Sequence, residues 1–115
     1  MKNQLKKGDV FYAELPDTKS RVIHGRRPVV IVSDHNRSTI SVIPMTTTKQ
    51  KRQSATHVHV GKEHGLRPST VLAEQIQCVD RAQLCRFVTH LPEPVMGQIQ
   101  AAVFSGLGFQ GRESA

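Results

Sequence analysis

Tryptophan is absent from this 115-residue sequence, and other aromatic residues are scarce, with one Tyr and four Phe. A core without many large aromatics must be built mainly from Val, Ile and Leu, and this composition favours strands over long helices. No stretch approaches the roughly 18 consecutive apolar residues that span a bilayer. No apolar segment follows the charged N-terminal residues 1–7 either. We therefore expect no membrane segment and no signal peptide, and a cytoplasmic protein.

Cysteine is also scarce, with only Cys78 and Cys85. In the cytosol, where this chain is expected, thiols are kept reduced. Both lie in sequence that alternates between apolar and polar residues. We therefore expect reduced thiols buried in the core, and a disulfide is the alternative.

Acidic residues are outnumbered, because 9 Asp and Glu face 16 Lys and Arg, which gives a formal charge of +7. So strong a positive field attracts polyanions, such as nucleic acid, an acidic protein segment or an anionic membrane surface. The length fits one domain. We expect residues 1–115 to form that single domain, with residues 110–115 as a frayed tail that has nothing to bury.

Short apolar segments separated by turn residues make up most of the chain. Val10–Leu15 predicts the first strand. The continuous β-branched run Pro28–Val32 predicts a buried central strand, which Pro28 can open because a first residue need not donate to the ladder. Thr39–Ile43 predicts a third strand, closed by Pro44. Further strand-like segments follow at Thr56–Val60, Thr70–Ala73, Glu74–Val79 and Phe87–Leu91.

One helix is predicted, near the C-terminus. Val95, Ile99 and Val103 recur every four residues after two prolines, which is typical of a helix with one apolar face. A short helical turn is also expected at Asp80–Leu84. The fold class is therefore mainly β (α+β), a small, strongly curved sheet or barrel of about six short strands with a C-terminal helix.

Six motifs stand in order along the chain: Lys7–Leu15, Gly25–Val32, Thr46, Thr56–Val58, Glu74–Ile76 and Thr89–Leu91. Together they resemble the MazF/PemK (Kid) family of toxins from type II toxin–antitoxin systems. The resemblance covers about residues 7–109 and implies an SH3-like, MazF/CcdB-like barrel that forms a homodimer. It implies a sequence-specific endoribonuclease, an mRNA interferase, that needs no metal or other cofactor and cuts single-stranded RNA to 2′,3′-cyclic phosphate and 5′-hydroxyl ends, which inhibits translation and growth. It also implies an antitoxin whose acidic segment covers the RNA groove.

The resemblance assigns catalysis to Arg27 and Thr46. A guanidinium is a planar fork of donors that suits phosphate oxygens, so Arg27 is expected to stabilise transition-state charge rather than to act as a base. Thr46 is expected to donate its hydroxyl to a phosphate oxygen from the end of a strand. Its neighbours Thr47 and Thr48 are the alternatives.

The remaining site predictions concern RNA binding. Basic residues in the Thr-rich loop would contact phosphates, and Glu74 and Gln75 would read base edges. A buried Glu74 that pairs with Arg27 is the structural alternative. His24 would exchange protons near neutral pH, or be a solvated loop residue. The predicted RNA-binding residues are His24, Arg26, Thr47, Thr48, Lys49, Lys51, Arg52, Thr56, His57, Glu74 and Gln75.

Three alternatives remain open. His57, His59 and His64 have a spacing that can bind zinc, although a polar outer strand face is the favoured interpretation and no metal is expected. A CcdB-like gyrase-inhibiting toxin shares the fold, but those relatives depend on a C-terminal Trp that this chain lacks. A non-catalytic SH3-like module would bind RNA without cutting it.

Overall fold

Seven strands and one α-helix form the chain in this computed structural model, which describes residues 5–16, 25–34, 38–47 and 54–108. Three short 3₁₀ turns, Lys62–His64, Ala73–Gln75 and Arg81–Gln83, connect the later strands. The elements are β1 (Asp9–Leu15), β2 (Gly25–Asp34), β3 (Thr39–Thr46), β4 (His57–Val60), β5 (Ser69–Leu72), β6 (Gln77–Asp80), β7 (Leu84–His90) and α1 (Glu93–Gly106).

All strand pairs are antiparallel, and the strands follow the order β4-β5-β3-β2-β1-β7, with β6 also paired to β3. β3 therefore contacts three strands: β2 and β6 along its first part, and β5 at its end. This arrangement confirms the predicted fold class, with seven strands in place of about six. No helix in the described part of the chain is long and apolar enough to cross a bilayer.

The continuous apolar run of β2 is buried on both faces, as predicted. Val30 belongs to one core cluster, with Val10, Ile43 and the apolar side of α1. Val29 and Ile31, which point to the opposite face, belong to a second cluster. A strand with core on both sides cannot slip by one residue without exchanging its two apolar faces, so the position of β2 is strongly specified.

The C-terminal helix is confirmed at Glu93–Gly106. It begins directly after Pro92, and a second proline lies in its first turn, where a missing backbone N–H costs nothing. Its buried residues are Val95, Met96, Ile99 and Ala102, whereas Val103 is only partly buried. The helix thus covers the first core cluster with one apolar stripe.

The prediction that Pro44 closes the third strand is wrong, because β3 continues to Thr46. Pairing of β3 with β6 ends at Val42, and pairing with β5 begins at Met45. Pro44 lies between these two ladders, so its missing N–H removes no hydrogen bond from either.

The prediction of core cysteines is also wrong. Cys78 and Cys85 are free thiols, and both are exposed. In β6 the inward position is Val79, so Cys78 lies on the outer face, where its Sγ is 3.7 Å from Ser41 Oγ. The sequence does alternate between apolar and polar residues here, but it does not show which of the two sets faces the core.

Asp9 fixes the start of β1 with a buried carboxylate, 8% exposed. One oxygen accepts the Lys6 backbone N–H at 2.9 Å, and the other lies 2.7 Å from His90 Nδ1. Asp9→Ala is expected to lower the free energy of unfolding by about 1–3 kcal/mol, because these groups lose their acceptor. Urea unfolding measures the change. The exposed Glu14→Ala control should change stability by less than about 1 kcal/mol, and equal effects of the two substitutions would contradict this role for Asp9.

Candidate active site

The site lies where β2 and β3 separate. Their ladder runs to the pair Val29 and Pro44, and one further step would pair Pro28 with Met45. Pro28 has no N–H to donate, and the ladder ends before this pair, while the other edge of β3 pairs Met45 with Val71 of β5. The two strands therefore diverge at this point, and the next residues along them border the gap.

Arg27 and Thr46 are those next residues. Arg27 is half-buried, and its Nη1 donates to the backbone carbonyl of Met45 at 3.4 Å. Thr46 is the last residue of β3, as predicted, and is 8% exposed, with Thr70 as its partner on β5. Both catalytic candidates are thus attached to strands of the core rather than to loops.

A cleft of about 390 Å³ opens over this gap. Three arginines line it, and none of its lining residues is acidic, so it presents a positive field with hydroxyl donors to an anion. It is lined by Tyr12, Arg26, Arg27, Pro28, Met45, Thr46, Thr47, Gly65, Leu66, Arg67, Ser69 and Val88.

Comparison with known proteins agrees with this geometry. Residues 6–105 match the family described as PemK-like, MazF-like toxin of type II toxin–antitoxin system. The chain belongs to this toxin family. Endoribonuclease EndoA of Bacillus subtilis is 33% identical over 105 residues, which cover 86% of this chain and 90% of that protein.

Solved structures show the same fold. MazF from Deinococcus radiodurans superposes with a TM-score of 0.80 at 19% identity, covering 93% of this chain and 99% of that one. A mycobacterial endoribonuclease, solved in complex with its cognate antitoxin, superposes with a TM-score of 0.78 at 22% identity, covering 95% of this chain and all of the other.

In this PemK/MazF toxin, one wall of the cleft is the turn that contains Gly65, Leu66, Arg67 and Ser69, which sequence reasoning missed. Leu66, buried in the first core cluster, anchors this wall beside Gly65, whose φ of +77° favours glycine. Ser69 Oγ donates to the Arg67 carbonyl at 2.8 Å and holds the wall's shape. Gly65 and Pro68 are turn-forming residues in the sequence, but nothing in the sequence links this turn to Arg27.

Tyr12 and Arg86 were missed as well. Tyr12 lies on β1 between β2 and β7, and the guanidinium carbons of Arg26 and Arg86 lie 5.9 and 5.3 Å from its ring centroid. Arg26 also forms an exposed ion pair with Glu14, at 3.6 Å. Because this cluster depends on strand pairing between residues far apart in the chain, a single sequence offers no local signal for it.

The other predicted RNA-binding residues divide into three groups. Arg26 and Thr47 line the cleft with Arg27 and Thr46. Four others, Thr56, His57, Glu74 and Gln75, are not among the residues that line it, and they lie near the C-terminal end of α1 or in the 3₁₀ turn before β6. The predictions that fall outside the described residues are His24, Thr48, Lys49, Lys51 and Arg52.

Glu74 contacts His57, whose Nε2 lies 3.5 Å from Glu74 Oε1. The contact lies beside α1: a Cβ added at Gly106 would approach the Thr56 side chain at 3.3 Å and the Glu74 backbone at 3.7 Å. These residues therefore form a polar surface between β4, the 3₁₀ turn and the helix. Their roles in RNA binding stay predictions.

The three histidines with zinc-like spacing contact different partners. His59 Nδ1 lies 3.1 Å from Thr70 Oγ1, and His64 Nδ1 accepts the Gly61 backbone N–H at 3.4 Å, whereas His57 contacts Glu74. Within residues 5–16, 25–34, 38–47 and 54–108, no group of three or more His, Cys, Asp or Glu side chains is arranged to hold a metal ion.

Proposed function

We propose that this toxin is a sequence-specific, metal-independent endoribonuclease that cuts single-stranded mRNA and so inhibits translation and growth. The observation that carries the proposal is the approach of Arg27 and Thr46 within one positive cleft. Membership of the PemK/MazF family supports it, as does the similarity to a protein named as an endoribonuclease.

The chemistry is a transesterification within the RNA. The ribose 2′-oxygen attacks the adjacent phosphorus, the bond to the 5′-oxygen breaks, and one proton moves from the 2′-hydroxyl to the departing oxygen. The products are a 2′,3′-cyclic phosphate and a 5′-hydroxyl, so no water is consumed in this step. Negative charge builds on the phosphorane oxygens at the transition state, and donors fixed in advance around those oxygens lower the barrier.

Arg27 and Thr46 suit this task in different ways. The Arg27 guanidinium offers several N–H donors in a plane and carries a permanent positive charge. The Thr46 hydroxyl adds one neutral donor from the neighbouring strand. We assign stabilisation of the phosphorane charge to both side chains, with Arg27 as the larger contributor.

The proposal extends to partners. The positive cleft has the charge to bind an acidic protein segment in place of RNA, and we propose that an antitoxin silences the toxin by covering it. Relatives have been solved with a cognate antitoxin. We also propose a cytoplasmic, single-domain chain that forms a homodimer. Phe104 and Leu107, 48% and 57% exposed at the end of α1, leave apolar surface that a second copy would cover.

Incubation of the purified toxin with a mixed-sequence RNA in EDTA tests the activity. We expect discrete cuts, with 2′,3′-cyclic phosphate and 5′-hydroxyl ends identified by mass spectrometry. A matched RNA with a single 2′-deoxy substitution at the mapped site should stay intact there, because the attacking hydroxyl is missing. RNA that is bound but left whole in every sequence context would favour the non-catalytic module and overturn the ribonuclease proposal.

A further inference from the structure

One aromatic ring lines the cleft, that of Tyr12, the chain's single tyrosine. Its residue is half-buried on β1 and lies in register with Pro28 of β2, directly after Arg27 in the chain. Neighbouring strands are about 4.8 Å apart, so the ring lies close to the proposed catalytic residues. The rings of Phe11 and Phe87 contact each other edge to face, with their centroids 5.5 Å apart.

Two guanidiniums flank the Tyr12 ring from the strands on either side. Arg26 of β2 has an acidic partner in Glu14. Arg86 of β7 is exposed, and no ion pair within the described part of the chain includes it. An exposed guanidinium beside an aromatic ring combines a charge for phosphate with a flat surface for a base.

We propose that Tyr12 and Arg86 form a nucleotide-binding subsite beside the scissile phosphate, in which one unpaired RNA base stacks on the Tyr12 ring and Arg86 binds the adjoining phosphate. This inference rests on the proposed function. It assigns to the substrate a position where the base must be unstacked and unpaired, which a single strand provides and a duplex does not.

Phosphate binding alone does not explain the arrangement. The cleft already has three arginines along its lining, and lysine or arginine side chains suffice for contacts to the backbone. An aromatic ring between Arg26 and Arg86 adds no positive charge for phosphate, whereas stacking on aromatic rings is the usual way in which proteins hold a single-stranded base. Both flanking arginines are long and exposed, so they can rotate to admit a base while staying near its phosphate.

An abasic scan tests the subsite. A fluorescent RNA with a 2′-deoxy nucleotide at the cleavage site, which is bound but not cut, carries one abasic nucleotide at each flanking position in turn. For the unmodified toxin, we expect loss of the base at one position to raise Kd about 5- to 150-fold. In Tyr12→Leu the same abasic substitution should no longer raise Kd, because the stacking partner is gone. Tyr12→Phe, which keeps the ring, should retain the penalty.

The results separate this inference from the proposed function. If the unmodified toxin cuts RNA but Tyr12→Leu shows the same abasic penalties at every position, the subsite is wrong and the nuclease stands. If the unmodified toxin neither binds nor cuts RNA, the function and the subsite fall together. Circular dichroism and thermal unfolding establish that Tyr12→Leu is folded.

Arg86→Gln provides a second measurement at an exposed position, where folding is not at risk. The slope of log Kobs against log salt concentration should become shallower by about 0.7, which is the loss of one contact to a single-strand phosphate. Lys7→Gln is the matched control. Lys7 lines a separate apolar pocket beside α1, so the slope should not change. Equal slopes for Arg86→Gln and the unmodified toxin would overturn the role of Arg86.

Discussion

Arg27→Ala is expected to slow RNA cleavage by about 100- to 1,000-fold, the usual cost of removing one fixed donor from a developing oxyanion. Arg27 projects from the point where β2 and β3 separate, and its guanidinium is held by the Met45 carbonyl. Alanine would leave the strands in place and remove only the donors. The loss should appear in the single-turnover rate at saturating toxin, with a much smaller change in Kd.

Two further variants separate shape from charge. Arg27→Lys keeps the positive charge but loses the planar fork, so we expect it to recover only a small part of the lost rate. Lys7→Ala removes one positive charge that does not line the cleft and should cut RNA at the parental rate. An Arg27→Ala toxin with full activity would remove Arg27 from the mechanism.

Ile99→Ala should cause the largest loss of stability among changes on α1. Ile99 is 1% exposed and packs into the core cluster that also holds Val30 and Ile43. Removal of a buried isoleucine costs about 2–5 kcal/mol, because apolar contacts are lost and a cavity remains. Urea unfolding should show a lower midpoint with an unchanged m-value.

Gln100→Ala is the matched control for this prediction. It lies on the same helix and is exposed, so we expect a change within about 0.5 kcal/mol. Because alanine has the highest helix propensity, neither substitution weakens the helix itself, and a large loss in both variants would mean that the effect is not specific to the buried position. Similar stability of Ile99→Ala and the parent would contradict the role of α1 in closing the core.

The sequence correctly predicted the elements whose apolar residues form a simple pattern, either a continuous run or a regular repeat. The run in β2 was recognised because β-branched residues occupy both faces, and α1 because apolar residues recur every four positions. The end of β3 was misjudged because a proline ends a strand only where the ladder needs a backbone N–H at that position. Whether the ladder needs an N–H at position 44 depends on where pairing with β6 stops and pairing with β5 begins, which is a tertiary property.

The candidate site was predicted in part. Arg27 and Thr46 were found through family resemblance, and their shared cleft follows from the β2–β3 register. Tyr12, Arg67 and Arg86 were not found, because they come from separate strands and turns that only folding brings together. Cys78 was misplaced for a related reason: the four-residue strand β6 can present either set of alternating residues to the core, and only its pairing with β3 decides which set faces inward.

The attachment of the site to β2 and β3 has a consequence for control of the toxin. Hydrogen exchange and related measurements show that protein segments open separately, and the most buried strands open last. β2 and β3 carry most of the fully buried residues, including Ile31, Ile40 and Ile43. We therefore expect the backbone at Arg27 and Thr46 to stay ordered as long as the protein is folded. An inhibitor that occupies the cleft from outside would, on its release, return a site that needs no refolding.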